Sequence, residues 1–273
     1  MPASKTTKKP VAAKPGKPAR PGKPAKEKPT LSAVMRELEK AGSEQTRKTY
    51  ARHGASGPMF GVSFATLKTM LKRLGVDHEL GVALWDTGNF DARNLAVKIV
   101  DPAKLKPADL DRWVGESFTA ARMCLGYVAM LAAEGPHAEA KLTQWLGAKD
   151  ERTRASGWIL LAQLAQRDES MADAVFGKRL EQIERTIHQA PNAERTVMNE
   201  TVIAIGCRSA GLRKAALAAA GRIGVVDIDH GDTSCKTPDA TEYIEKAWAH
   251  AKSKGFESPA AQERARELPR LRC

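Results

Sequence analysis

From Leu31 onward, segments of helical period follow one another with short breaks, and no series of alternating apolar and polar residues marks a β-sheet. Most of these segments span three or four turns and carry no heptad seam, so each can bury its apolar side only against its neighbours. The chain is therefore expected to be all-α, a solenoid of paired helices. Ser63 is a natural N-cap, Phe64, Leu67, Leu71 and Leu74 share one face, and Gly75 can end that helix. Asp77 opens the next, with Leu80, Leu84 and Trp85 as its apolar positions and Gly88 at its close. Asn89 caps a third, which must stop at Asp101-Pro102 because a residue before proline disfavours the helical conformation. The same reading places helices near 107–114, 117–133, 137–147, 150–167, 171–189, 193–207, 209–222 and 238–253. Residues 223–237 read as a structured loop, and SPAAQERARELPRLRC as a short charged helix running into a frayed terminus.

The charge is unevenly distributed. Residues 1–30 hold nine Lys or Arg against one acid, Glu27, so eight of the twelve net positive charges lie there. That stretch is a loose Pro, Ala, Lys and Gly repeat without apolar periodicity, which predicts a disordered basic tail ahead of a helical domain over 31–273 whose last part, 223–273, is atypical. Such a tail either holds polyanions through counterion release or is a solubilising extension. It lacks the apolar stretch of a signal peptide and the amphipathic Arg pattern of a mitochondrial leader, and no run of about 18 apolar residues suggests a membrane span. A cytoplasmic protein without membrane attachment is expected, associated with the nucleoid if the tail binds DNA.

The four cysteines are widely spaced, which fits a reducing compartment. Asp227, Asp229, His230 and Cys235 match no zinc spacing and read as an ordered loop whose side chains bond its own backbone. Phosphate-loop, nucleophile-elbow, HExxH and dinucleotide fingerprints do not occur.

MFGVSFATLKTMLKRL followed by LWDTGNFDARNLAVKIVDP resembles the DNA alkylation-repair family, the AlkD-like proteins built from HEAT-like repeats. The similarity is clearest over residues 43–131 and continues helix by helix to about Gly224, leaving out the tail and DHGDTSCKTPDA. It implies a HEAT-like superhelix whose concave basic face holds duplex DNA by its backbone. In the glycosylases of that family the damaged purine stays stacked, Trp rings pack on sugar and phosphate, and an Asp stabilises charge developing on the deoxyribose. No metal or organic cofactor is implied.

The family's catalytic signature is a Trp followed four residues later by Asp. In DRWVGESFTAARMC, Trp113 matches the Trp, but Ser117 stands where the Asp is expected. Glu116, one position away, or Asp111 could supply a carboxylate instead, while Trp113 is either a DNA contact or a core residue. Repeat-start arginines that meet phosphates in the family correspond here to Arg152 or Arg154 and to Arg195. Trp158 reads as buried, and Glu200 lies near the place of the family's second aromatic contact. Lys68 and Lys72 lie largely off the apolar face of their helix, toward solvent or toward DNA.

The expected function is thus a monomeric DNA alkylation repair protein that binds duplex DNA, alkylated or not, and hydrolyses the N-glycosidic bond of N3- or N7-alkylated purines if Glu116 replaces the missing Asp. The alternatives are a DNA-binding relative without chemistry and a HEAT scaffold for other proteins.

Overall fold

The computed structural model describes residues 28–117, 121–231 and 233–272, apart from the side chains of 121–125; the basic tail up to residue 27 lies outside them. Fourteen α-helices and no strand occur among the described residues: α1 (Leu31–Ala41), α2 (Glu44–Arg52), α3 (Phe64–Leu74), α4 (His78–Asp86), α5 (Phe90–Ile99), α6 (Pro107–Glu116), α7 (Ala121–Glu134), α8 (Ala138–Leu146), α9 (Glu151–Arg167), α10 (Asp173–Thr186), α11 (Asn192–Gly206), α12 (Ala210–Ile223), α13 (Ala240–Ser253) and α14 (Pro259–Arg264). The all-α solenoid follows from local chemistry. Ser63 accepts the Thr66 amide, Asp77 that of Leu80, and Asn89 those of Asp91 and Ala92. Gly75 takes the positive φ, 63°, that ends α3.

From α4 onward the helices pair. The second members of the pairs, α5, α7, α9, α11 and α13, form an unbroken ladder, while among the first members only α10 and α12 pack closely along their backbones. A stack whose one layer is tight and whose other is splayed is curved, with the tight layer on the concave side. Close approach within the stack depends on small residues: a Cβ on Gly206 would lie 2.5 Å from Ile244 Cδ1, where α11 meets α13.

The C-terminal segment does not fray. It returns along the C-terminal ends of the inner helices and binds their last turns one after another. The Ala260 amide donates to Cys207 O at 3.0 Å, Arg264 Nη1 to Gln166 O at 3.3 Å, and Arg270 Nη1 to Lys98 O at 2.8 Å and Val97 O at 3.2 Å. Arg270 Nε also donates to Glu134 Oε2 at 2.7 Å. Arg208 caps α9 in the same manner, donating to the carbonyls of Leu164, Ala165 and Asp168. Last-turn carbonyls lack helical partners and carry the negative end of the helix dipole, so guanidinium groups are suited to this strap.

Arg270 is the innermost clasp, with 4% of its surface exposed. Burial pushes the Glu134 carboxyl above its ordinary value, against the attraction of Arg270. Replacing Arg270 with Ala strands that carboxylate and two carbonyls, and the expected loss is about 3–5 kcal/mol of unfolding free energy in urea melts. The sign of its pH dependence follows from Glu134. Its folded pKa lies above the unfolded one and rises further without Arg270, so the deficit of Arg270→Ala should shrink as pH falls through that value.

Candidate nucleic-acid site

The loop Pro58–Val62, ahead of the basic helix α3, is pinned from within. Asp91, fully buried in the first turn of α5, accepts the Phe60 amide at 2.6 Å and the Gly61 amide at 3.0 Å on Oδ2, and the Val62 amide at 2.8 Å on Oδ1. Tyr50 Oη donates to Val62 O at 2.6 Å, and Gly61 holds φ 79° where a Cβ would lie 2.4 Å from Ser43 O. Lys68 is half-buried and Lys72 exposed on α3, and neither has an ion pair among the described residues.

Trp113 lies in the core. It has no exposed surface, its ring stacks on Trp85 at 4.2 Å between centroids with 6° between planes, and its indole N–H has no acceptor among the described residues. A DNA strand on the protein surface does not reach it as it stands. Ser117 is also buried, and its hydroxyl donates to Trp113 O at 2.6 Å across one helical turn. A carboxylate there would be desolvated beside an aromatic pair.

Glu116 sits at the edge of this stack with 34% of its side chain exposed. Oε2 accepts Trp85 Nε1 at 2.5 Å and Arg93 Nη2 at 3.2 Å, and Oε1 accepts Arg112 Nη1 at 3.2 Å. Arg93 also lies over the Trp85 ring, 4.9 Å from its centroid. Asp111, the other candidate acid, accepts Trp145 Nε1 at 2.8 Å, Lys141 Nζ at 2.7 Å and Gln144 Nε2 at 3.1 Å. Burial pushes its carboxyl up, but those hydrogen bonds and the Lys141 charge outweigh burial and hold it below the ordinary value of 3.8.

The repeat-start arginines divide by role. Arg154 forks onto Glu194, with Nε at 3.1 Å from each carboxylate oxygen and Nη2 at 2.9 Å from Oε2, and it caps Ala148 O and Lys149 O. Glu194, 6% exposed, also accepts Trp158 Nε1 at 3.1 Å. Arg195 donates to Ala190 O at 2.9 Å and to Asp227 O at 2.7 Å, so it anchors the atypical loop. Both guanidinium groups serve internal acceptors. Arg152, in the first turn of α9, is exposed. The loop itself folds as read: Asn192 exchanges two 2.8 Å hydrogen bonds with the Asp229 backbone, and Asp229 Oδ1 accepts the Gly231 amide at 2.8 Å.

The inner ladder leaves a groove between α7, α9 and α11. Its described lining includes Met130, Ile159, Gln163 and Val197, with Glu200, itself engaged, as the ionisable residue among them. The exposed cations Arg152 and Lys72 lie instead at the start of α9 and on α3, outside the groove lining.

A family model described as DNA alkylation repair enzyme matches residues 34–244. Two bacterial relatives are similar over 223 residues, covering 80% of this chain and 97% of each relative. They are the uncharacterised proteins Lin0241 of Listeria innocua, 28% identical, and Lmo0209 of Listeria monocytogenes, 26% identical. A solved structure superposes with a TM-score of 0.72 at 28% identity, covering 82% of this chain and 94% of its own. It is described as representing a new family of proteins related to the HEAT-like repeat DNA glycosylases with affinity for branched DNA structures.

The Asp111 cluster gives a measurable signature. A carboxyl whose folded pKa is depressed contributes stability that is complete above its unfolded pKa and lost as pH falls through the folded one. Asp111→Asn should therefore remove part of the stability change below about pH 4 in urea midpoints measured against pH. A variant with the same acid slope as the parent would show that the cluster contributes nothing to acid stability.

Proposed function

The chain belongs to the DNA alkylation repair enzyme family, and from that premise we propose that it binds branched DNA across the concave side of its HEAT-like solenoid and works by binding instead of base excision. The observation that carries this reading is the state of the signature turn: Ser117 replaces the acid, its hydroxyl is tied to the helix backbone, and Trp113 is sealed beneath Trp85. A charge stabiliser must face the reacting sugar, and no carboxylate stands free one turn from that Trp. The branched-DNA affinity of the structural relative supports the choice of ligand. Phosphates would be held by Arg152, Lys68, Lys72 and the tail, whose lysines give salt-dependent, sequence-independent grip. The tail leaves the described residues at Lys28, whose Nζ lies 3.4 Å from Asp77 Oδ2 at the start of α4.

A second reading rests on one observation. Glu116 keeps part of its carboxylate exposed beside the Trp pair, and hydrolysis of N3- or N7-alkylated purines would run through it. A carboxylate already shared by two arginines and an indole is well suited to stabilising structure and poorly placed to follow a departing base.

Both readings are decided by one set of measurements on the full chain. A four-way junction should bind at least about tenfold tighter than a linear duplex of equal length. Replacing Arg152, Lys68 or Lys72 with Ala should lower the salt slope by about 0.9 for each phosphate that the side chain neutralises. Single-turnover incubation with methylated duplex should release no alkylpurine. Release that disappears in Glu116→Gln would establish excision and overturn the binding-only reading.

A further inference from the structure

A cleft of about 1000 Å³ lies beside the C-terminal strap, where α7 and α9 end and α8 begins. Asp101, Glu134, Glu139 and Asp168 line it, against Arg167 and Arg270. Both guanidinium groups are engaged within the protein, Arg270 with Glu134 and two carbonyls and Arg167 Nη1 with Glu263 O at 3.0 Å. The acids are less fully matched. Asp101 caps the Ala103 amide with Oδ1, Glu139 is exposed in the first turn of α8, and neither has an ion pair among the described residues. Glu134 keeps a buried oxygen, Oε1, without a hydrogen-bond partner among the described residues. The ends of α7 and α9 add the negative poles of their dipoles.

The basic N-terminal segment joins the described residues at this end of the ladder. Lys28 Nζ lies 3.4 Å from Asp77 Oδ2, the Asp77 amide donates to Ile99 O at 2.8 Å, and Asp101, two residues beyond Ile99, is on the cleft wall. Residues 1–27 carry eight Lys or Arg against Glu27. Five of these cations, Lys14, Lys17, Arg20, Lys23 and Lys26, recur at every third residue, the first four each followed by proline. We propose that the cleft is the docking surface of this segment when no DNA is bound, so that cleft and DNA compete for the same lysines, an inference that rests on the DNA-holding role given to the tail above. An ammonium group offers three donors and no acceptor, which suits carboxylates and last-turn carbonyls alike. A proline-rich stretch has little backbone freedom to lose on docking and, when extended, repeats a side chain on one edge every three residues, about 9 Å apart. Because the segment is tethered next to the cleft, the contact is intramolecular and needs little intrinsic affinity. Partly exposed ion pairs are individually weak, so the dense phosphates of DNA can draw the lysines away. The strap supplies the precedent: Arg264 and Arg270 already bind the ends of α9 and α5 through cationic side chains.

The test uses the full chain throughout. Zero-length carbodiimide coupling at low salt should join lysines of residues 1–27 to Asp101 or Glu139 within one chain, as read by peptide mass spectrometry. Those links should disappear at high salt and on addition of a four-way junction. Asp101→Asn keeps a capping oxygen and Glu139→Gln changes an exposed side chain, so the double variant should fold. It should bind the junction severalfold tighter than the parent, and most of that gain should vanish when Lys14, Lys17, Arg20, Lys23 and Lys26 are all replaced by Gln. Coupling that scatters over carboxylates elsewhere on the surface, coupling that joins two chains, or an undiminished gain in the Gln-substituted chain would overturn the docking. A parent that couples as expected and binds no junction would overturn the branched-DNA reading alone, since the links are read without DNA.

Discussion

The architecture depends on an indole N–H given to a carboxylate that a cation also holds. Trp85 donates to Glu116 beside Arg93, Trp145 to Asp111 beside Lys141, and Trp158 to Glu194 beside Arg154. The first two bridges join α4 to α6 and α6 to α8, in the layer where the helices splay, and the third joins α9 to α11. Side chains long enough to span diverging helices thus hold the curvature that the tight inner ladder begins. Such buried or half-buried ion pairs add little over an apolar contact, yet removing one member strands the others, so they fix the register of one repeat on the next.

That use of acids and arginines has a consequence for function. Glu116, Asp111 and Arg154, the groups with the chemistry for DNA or for catalysis, are already engaged by neighbouring repeats. Trp113 departs from the pattern, since it stacks on Trp85 and its N–H finds no acceptor among the described residues. An acid at position 117 would lie one turn from that ring; with serine there, the hydroxyl bonds its own helix. This turn of α6 is part of the outer-layer packing.

The helices were legible because their determinants are local: Ser63, Asp77 and Asn89 each cap from three residues or fewer away, and apolar spacing reports the buried face without knowledge of what covers it. The strap was not, because Arg270 bonds carbonyls 172 and 173 residues distant, and a charged terminal segment with few apolar residues reads as solvated. Asp91 was hidden for a related reason. Within α5 it resembles an ordinary first-turn acid, and only the fold brings the amides of Phe60, Gly61 and Val62 to it. Family spacing located Trp113, Arg154 and Arg195 correctly on their helices, but spacing specifies where a side chain starts and not which partner it meets. Each found an internal partner: a ring for Trp113, Glu194 for Arg154, and backbone carbonyls for Arg195.

If the proposed branched ligand is bound, the exposed cations must hold arms that leave in several directions. A uniform duplex laid along a concave face asks for cations throughout its length, since every stretch of it presents phosphates. Here Arg152 and Lys72 stand at the start of α9 and on α3, outside the lining of the groove between α7, α9 and α11. A branched molecule has the complementary arrangement: charged arms leave in several directions, and bases are weakly stacked where the arms meet. Cations set apart from one another would suit arms that leave in several directions, which is the arrangement that the proposed branched ligand requires.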